Sequence, residues 1–376
     1  MRSGHSGGRT LSRRGFLSGS TAVAIAGLLA ACSNGGDDAA ETSDPSTAAS
    51  SGSTTDASKG STGAATSASA SGPSGASSSA SAEGSFPVTV PGTPAAVTVE
   101  SAPQRVFAAG YLRDTDLALA LGAPLVGIAK NLNFSSGLAP WQHPDPKVTL
   151  VDTTSGLPFE KIKSLNPDLI LAADDYTLDQ DYDTLRKIAP TLGYDKGIGK
   201  DDWTTMTTRA GAVLGQPDEA AQLIEETKGK ISAVQQAHPE FKGKTYTFGP
   251  VIATDAIYTT SSAADASVPF FSQLGFSLSP KVQSLPASST PGRAKISIEQ
   301  IGLLDADVMI LTYASDQVKK EIEGNPLFKQ LAAVRRGSYV ALDLSVAISF
   351  GFPSVLSIPY GLETVVPKLA AAVQAD

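Results

Sequence analysis

The chain has 376 residues, a formal net charge of −8, three histidines and one cysteine. A single cysteine excludes an internal disulfide and a Cys-rich zinc or iron–sulfur site. The acidic balance argues against a nucleic-acid binder, which carries a basic surface.

In chain order, the first 32 residues hold Arg2, Arg9, Arg13 and Arg14 and no acid. The weakly apolar run 22–31 is about half of the roughly 20 residues that a membrane-spanning helix needs, so residues 1–32 read as a signal peptide. Ser12-Arg13-Arg14-Gly15-Phe16-Leu17 resembles a twin-arginine export motif. Leu29-Ala30-Ala31-Cys32 resembles a lipobox, whose cysteine is lipidated and becomes the new N-terminus. The alternative is an ordinary signal peptide ending on a chance cysteine. A free exposed thiol is a liability outside the cell, which favours Cys32 as an anchor. Residues 30–85 contain no Val, Leu, Ile, Met, Phe, Tyr or Trp. Such a stretch cannot offset its ordering entropy by burying apolar surface. Residues 33–85 are therefore expected to be a disordered tether, with a reach of roughly 40 Å. Removing residues 1–31, with four arginines and no acid, takes the formal charge from −8 to −12.

Residues 86–376 alternate short apolar runs with helical periods, the pattern of parallel sheets covered by helices. Strands are expected at 105–109, 124–128 and 168–172, and helices at 114–121 and 159–165. Asp114 suits the first helix as its N-cap and Gly122 as its C′ residue. An internal repeat stands out. Glu160, Ile162, Leu165 and Asp168 recur as Glu299, Ile301, Leu304 and Asp307, each shifted by 139 residues. That shift is close to half of the body and predicts two similar α/β lobes, 86–216 and 241–376. Between them, residues 218–238 hold one helical period with Pro217 before it and Pro239 after it. About 21 residues span roughly 30 Å of helix, enough to bridge the lobes from 217 to 240.

At this point the chain resembles a family. Pro103-Gln104-Arg105-Val106 into Gly110, then Asp116-Leu117-Ala118-Leu119-Ala120-Leu121-Gly122, looks like the opening of the iron–siderophore-type substrate-binding proteins of ABC importers. Pro167-Asp168-Leu169-Ile170-Leu171-Ala172, the segment 182–191, Asn325-Pro326-Leu327-Phe328 and Arg336-Gly337-Ser338-Tyr339-Val340 are similar too. The resemblance covers about residues 86–370. It implies two Rossmann-like lobes with mostly parallel sheets joined by one long α-helix. It implies a ferric siderophore in the cleft between the lobes, and delivery to an ABC permease. In the family an acidic residue near the start of the repeated helix in each lobe docks on permease arginines; Glu160 and Glu299 match it. Both also suit a helix first turn for dipole reasons alone.

A siderophore wraps Fe(III) in its own oxygens, so the protein need supply no metal ligand and no cofactor of its own. It needs aromatic faces and cations. Loops after strand C-termini line such clefts. They nominate Tyr111, Arg113, Lys130, Trp141 and Tyr176 in the first lobe. In the second they nominate Tyr258, Arg293, Tyr313, Phe350 and Phe352. Each has an ordinary reading as surface charge, rim packing or core. A monomer, lipid-anchored to the outer face of a bacterial cell membrane, is expected.

Other readings compete. Direct metal capture is disfavoured, because only His143 and His238 remain after the signal peptide. Haem needs one axial ligand, and Tyr258, Tyr313 or His143 could supply it. Cobalamin rests on family analogy alone. An enzyme lacks G-x-S-x-G, H-E-x-x-H or G-x-x-x-x-G-K-[ST] within residues 86–376 to support it. A tethered surface adhesin is suggested only by the tether.

Overall fold

The computed structural model describes residues 85–290 and 292–375. The signal peptide, lipobox and tether expectations, Cys32 among them, lie outside the described residues.

The first lobe opens with a small antiparallel hairpin, β1 (Val88–Val90) and β2 (Val97–Val99). Then follow β3 (Val106–Ala108), α1 (Arg113–Ala120), β4 (Leu125–Ala129), β5 (Thr149–Val151), α2 (Phe159–Ser164), β6 (Leu169–Leu171), α3 (Leu178–Leu185), β7 (Thr191–Leu192) and α4 (Trp203–Leu214). The five strands β3–β7 form a parallel sheet of order β5-β4-β3-β6-β7. Helices cover both faces, so the inner strand β6 is apolar throughout. Leu169 and Leu171 enter one core with Leu117, Met206 and Val213. Ile170 points the other way, into a core with Ile162 and Leu178, as the two-residue period of a strand requires. Burying each such side chain stabilises the lobe by roughly 1.5–3 kcal/mol.

One expectation is corrected here. Helix α1 begins at Arg113 with Leu112 at its N-cap and no side-chain cap. Asp114 is turned inward instead, where its Oδ2 accepts the Asp174 backbone N–H at 3.0 Å. Gly122, at φ +60°, does close the helix.

Helix α4 ends on Gly215 at φ 73°, and the Gln216 N–H returns to the Gly211 carbonyl. Pro217 then starts α5 (Pro217–Ala237) at its first position. Ala220, Ile224, Thr227 and Ile231 are buried along one narrow stripe of this helix. Its two ends serve different cores. Ala220 and Leu223 pack into the first lobe, and Ile231 and Val234 into the second. Trp203 also packs against both cores. The 21-residue helix thus joins the lobes directly.

The second lobe contains β8 (Thr245–Ala253), β9 (Ala256–Thr260), α6 (Ser267–Gln273), β10 (Ser277–Leu278), β11 (Arg293–Ile296), β12 (Val308–Tyr313), α7 (Asp316–Gly324), β13 (Tyr339–Leu342), α8 (Leu344–Gly351) and α9 (Ser357–Gln374). Its sheet runs β11-β9-β8-β12-β13, with β10 added beside β8. β8, β10, β12 and β13 are parallel, and β9 runs antiparallel to both of its neighbours, β8 and β11.

The internal repeat has a structural cause. In each lobe the repeated strand, β6 or β12, lies beside the first strand of the main sheet, β3 or β8. The repeated aspartate holds the entry of that neighbour. Asp168 accepts the Gln104 and Arg105 N–H groups at 2.8 and 2.9 Å, and Asp307 accepts the Thr245 N–H at 2.7 Å. Ile162 and Ile301 are both buried beneath. The second copy of the helix, Ile298–Leu304, is a 3₁₀ helix with a Ser297–Gln300 capping box.

Candidate functional site

The strand order of the first lobe reverses between β3 and β6. Parallel α/β sheets open a crevice at such a point, outside the carboxyl ends of the strands. The two strand exits are pinned together there: the Tyr111 N–H donates to the Asp174 carbonyl at 2.9 Å. Tyr111 and Tyr176 follow these exits and meet edge to face, 6.0 Å apart at 83°. Phe352, which follows α8 in the second lobe, completes the group at 4.6 Å from Tyr111 and 6.2 Å from Tyr176. Three aromatic rings from two lobes therefore meet at the crevice. Around them lies the interlobe contact of Leu112, Ala139 and Ile348 with Phe134, Trp141 and Leu344.

Asn131 donates to the Tyr111 carbonyl at 3.0 Å, and Asn133 donates to the Tyr111 hydroxyl. Burial pushes the Tyr111 phenol up to about 12, with Asn131 partly offsetting it. It is neutral across the physiological range.

Arg113 is corrected as a ligand contact. It is 5% exposed and sits beneath the crevice. Its Nε and Nη2 donate to Asp174 Oδ1 at 2.8 and 2.6 Å, and its Nη1 to the Asp201 carbonyl at 3.1 Å. The other oxygen of Asp174 accepts the Leu112 and Arg113 N–H groups. The pair shapes the turn into α1. Asp175, alongside, accepts from Thr177 through Oδ1, and its Oδ2 has no protein partner among the described residues. Burial raises its pKa to about 6.

Trp141 belongs to a second buried group. Its Nε1–H is shared between the two oxygens of Asp116, at 3.0 and 3.1 Å. Gln142 Nε2 and Ser354 Oγ both donate to the same carboxylate at 2.6 Å. The indole ring lies 4.8 Å from Tyr360 of α9. Trp141 thus braces the lobe junction.

Lys130 stands half-buried at the end of β4, its stem packed on Gly137. Tyr258 is half-buried on β9, opposite Lys295 of β11. Ile257 and Ile296 enter the core on one sheet face, so Tyr258, Arg293 and Lys295 share the other. Arg293 Nε donates to Asp265 Oδ2 at 2.5 Å, and Asp265 is itself buried. The Tyr313 hydroxyl is tied to Tyr339, which donates to Glu323 in the last turn of α7; it does not join the aromatic group. Phe350 is corrected outright. It is fully buried, stacked on Phe270 at 4.3 Å in the core of the second lobe. Helical phase explains the split: Phe350 turns inward and Phe352, just past the helix end, turns to the crevice. Glu160 and Glu299 are both exposed at the starts of the repeated helices. His143 is exposed, and His238 stacks on Phe241 at the far end of α5.

Sequence reasoning overlooked Lys295, Asp265 and the Asp116–Ser354 contact. The alternation Arg293-Ala294-Lys295-Ile296 was the available signal for Lys295. A groove of about 730 Å³, lined by Pro94, Val97, Tyr182, Arg186 and Pro190, lies where β7 begins. That is the opposite end of the sheet from the crevice. Among the described residues no helix is long and apolar enough to cross a membrane.

Comparison with known proteins gives four matches of note. A family model described as periplasmic binding protein matches residues 108–345. A Bacillus subtilis protein named as an ABC transporter substrate-binding lipoprotein, YhfQ, is 32% identical over 214 residues, 53% of this chain. The chain spans 63% of that relative's length. Among solved structures, a periplasmic solute binding protein from Mycobacterium smegmatis has a TM-score of 0.66 at 26% identity, covering 76% of this chain and 98% of that one. PiaA of Streptococcus pneumoniae in complex with ferrichrome has a TM-score of 0.62 at 27% identity, covering 76% and 99%.

Proposed function

The chain belongs to the periplasmic binding protein family, and from that premise we propose that it captures a ferric siderophore between its lobes and delivers it to an ABC permease. The observation that carries this reading is the meeting of Tyr111, Tyr176 and Phe352 at the switch-point crevice. Flat, apolar ring faces from both lobes suit a compact iron chelate, which offers ligand carbon and planar donor groups rather than bare metal. The ferrichrome complex of PiaA, alike in fold over nearly its whole length, supports the same reading.

In this account the iron arrives with its own ligands, and the protein's chemistry is binding and release. The protein acts as a monomer held outside the membrane by lipid on Cys32. One acyl chain holds weakly, so the anchor carries more than one. Glu160 and Glu299, exposed in equivalent places, are the contacts for the permease. Haem is less well served. An axial tyrosinate is disfavoured at Tyr313, whose pKa burial raises and whose hydroxyl is bonded to Tyr339. His143 stands exposed on the outer loop.

The test is a thermal-shift screen of the purified protein against ferric siderophores, haem and cobalamin. A ligand at 100 times its Kd raises stability by about 2.7 kcal/mol. A shift with siderophores is expected. A shift with haem alone, or with nothing, defeats the reading.

A further inference from the structure

We infer that Asn133 is a positioning residue for capture: it fixes the direction of the Tyr111 hydroxyl proton, so that the crevice offers one oriented donor to an oxygen of the bound chelate. This rests on the siderophore reading above and adds to it a residue that acts through Tyr111.

The chain leaves β4 in a turn closed on itself. Asn131 is buried, and its N–H donates to the Gly137 carbonyl at 2.9 Å. The Gly137 N–H donates to the Phe134 carbonyl at 2.8 Å, and the Phe134 N–H to the Asn131 carbonyl at 3.2 Å. Phe134 packs edge to face on Trp141 at 6.4 Å, and Trp141 is held by Asp116. Leu132 is 50% exposed, whereas Asn133 beside it is half-buried and bonded to Tyr111. The turn is thus fixed before any ligand arrives, which leaves little ordering to be done on binding.

Both hydrogens of the Asn133 amide are committed. Its Nδ2 donates to Asn131 Oδ1 at 3.2 Å and to the Tyr111 hydroxyl. The same Asn131 Oδ1 accepts the Asn133 backbone N–H at 3.0 Å. Reversing the Asn133 amide would set its oxygen against Asn131 Oδ1, so the network fixes which end faces the tyrosine. Asn131 cannot reverse to relieve this, because its own Nδ2 is held by the Tyr111 carbonyl at 3.0 Å. The Tyr111 oxygen is therefore an acceptor toward Asn133, and its proton points elsewhere. Among the described residues no group accepts that proton. Tyr313 is the contrast, since its hydroxyl is engaged by Tyr339 within the protein. Burial pushes the Tyr111 phenol up to about 12, so the proton is present throughout the physiological range. Accepting one hydrogen bond polarises a hydroxyl and strengthens the one it gives. An oxygen of the chelate completes the pair.

The test is a double-mutant cycle on the intact protein, read by quenching of tryptophan fluorescence. The probes are ferrichrome, ferrioxamine B and ferric citrate, and the cycle uses whichever binds most tightly. Tyr111→Phe keeps the ring and removes the donor, and about tenfold weaker binding is expected, a gap of about 1.4 kcal/mol. Asn133→Asp keeps the shape but presents an acceptor, which captures the Tyr111 proton, and a similar loss is expected. In the Tyr111→Phe background the loss from Asn133→Asp should shrink to no more than about twofold, because no hydroxyl remains to be directed. An equal loss in both backgrounds marks a merely structural role, a direct contact or the added charge alone, and overturns the inference. Tyr111→Phe binding as tightly as the unaltered protein also overturns it, and decides the matter even if the Asn133 variants do not fold. Both of these results leave the siderophore reading intact. Failure of all three probes to bind the unaltered protein overturns both.

Discussion

Ser354 Oγ donates to Asp116 Oδ2 at 2.6 Å, between residues 238 positions apart. The bond ties the segment between α8 and α9 to the first helix of the opposite lobe. Both groups are buried, Asp116 wholly so. Ser354 Oγ also accepts the Ser357 N–H at 2.9 Å, so one hydroxyl orders the start of α9 and the lobe junction together.

Replacing it should be felt. Ser354→Ala leaves one oxygen of a buried carboxyl short of a donor and is expected to cost about 1–3 kcal/mol. Urea unfolding measures this. An unchanged midpoint would show that the lobes are held together without the bond.

Stability should fall as pH rises from acid to mildly alkaline. Burial raises the carboxyls of Asp175, Asp116 and Asp114 from an ordinary 3.8 to about 6, 7 and 8 respectively. Below the ordinary value both folded and unfolded forms are protonated, and the stabilisation is fully present. Between the ordinary and raised values the folded protein keeps protons that the unfolded chain has released. Stability is therefore lost as pH climbs through the raised values. The melting temperature at pH 5 should exceed that at pH 8, and Asp116→Asn should flatten the decline. A melting temperature that rises over this window would contradict the assignment.

Two phenylalanines two positions apart should behave differently. Phe350→Ala empties a core site among Phe270 and Phe271 and is expected to cost about 3–5 kcal/mol of stability. Phe352→Ala removes a ring that faces Tyr111 and Tyr176, with a smaller loss of stability and about tenfold weaker chelate binding. Denaturation and fluorescence titration of the two variants decide this. Equal effects on both measures would sink the distinction.

Docking on the permease is separable from capture. Glu160→Ala combined with Glu299→Ala is expected to abolish uptake while leaving chelate affinity unchanged. Radiolabelled iron uptake in cells, alongside titration of the purified variant, reads both. Transport at the normal rate would remove these glutamates from the docking surface.

Much of this arrangement is legible in the chain because it depends on near neighbours. Pro217, an acidic first turn and a single apolar stripe make one long helix of α5, which starts at Pro217 as expected and ends at Ala237, three residues before the expected 240. The Glu-Ile-Leu-Asp repeat marks two lobes because each copy is one local unit: a helical turn, a buried strand, and an aspartate for the strand beside it. Tyr111, Tyr176 and Phe352 are visible as candidates because they follow strand or helix ends.

The fate of the charges is not legible in the same way. Arg113 and Asp174 are 61 residues apart, and Arg293 and Asp265 are 28 apart. Nothing local distinguishes a free arginine from one matched by a buried carboxylate, since that depends on which strand exits the fold brings together. By itself the sequence determined the lobes, the bridge and the aromatic rim, through periodicity and turn chemistry acting over a few residues. The tertiary structure decided which arginines are matched by buried carboxylates and which residue locks the lobes. Coulomb energies and desolvation depend on distances through space, and those exist only once the sheets have closed.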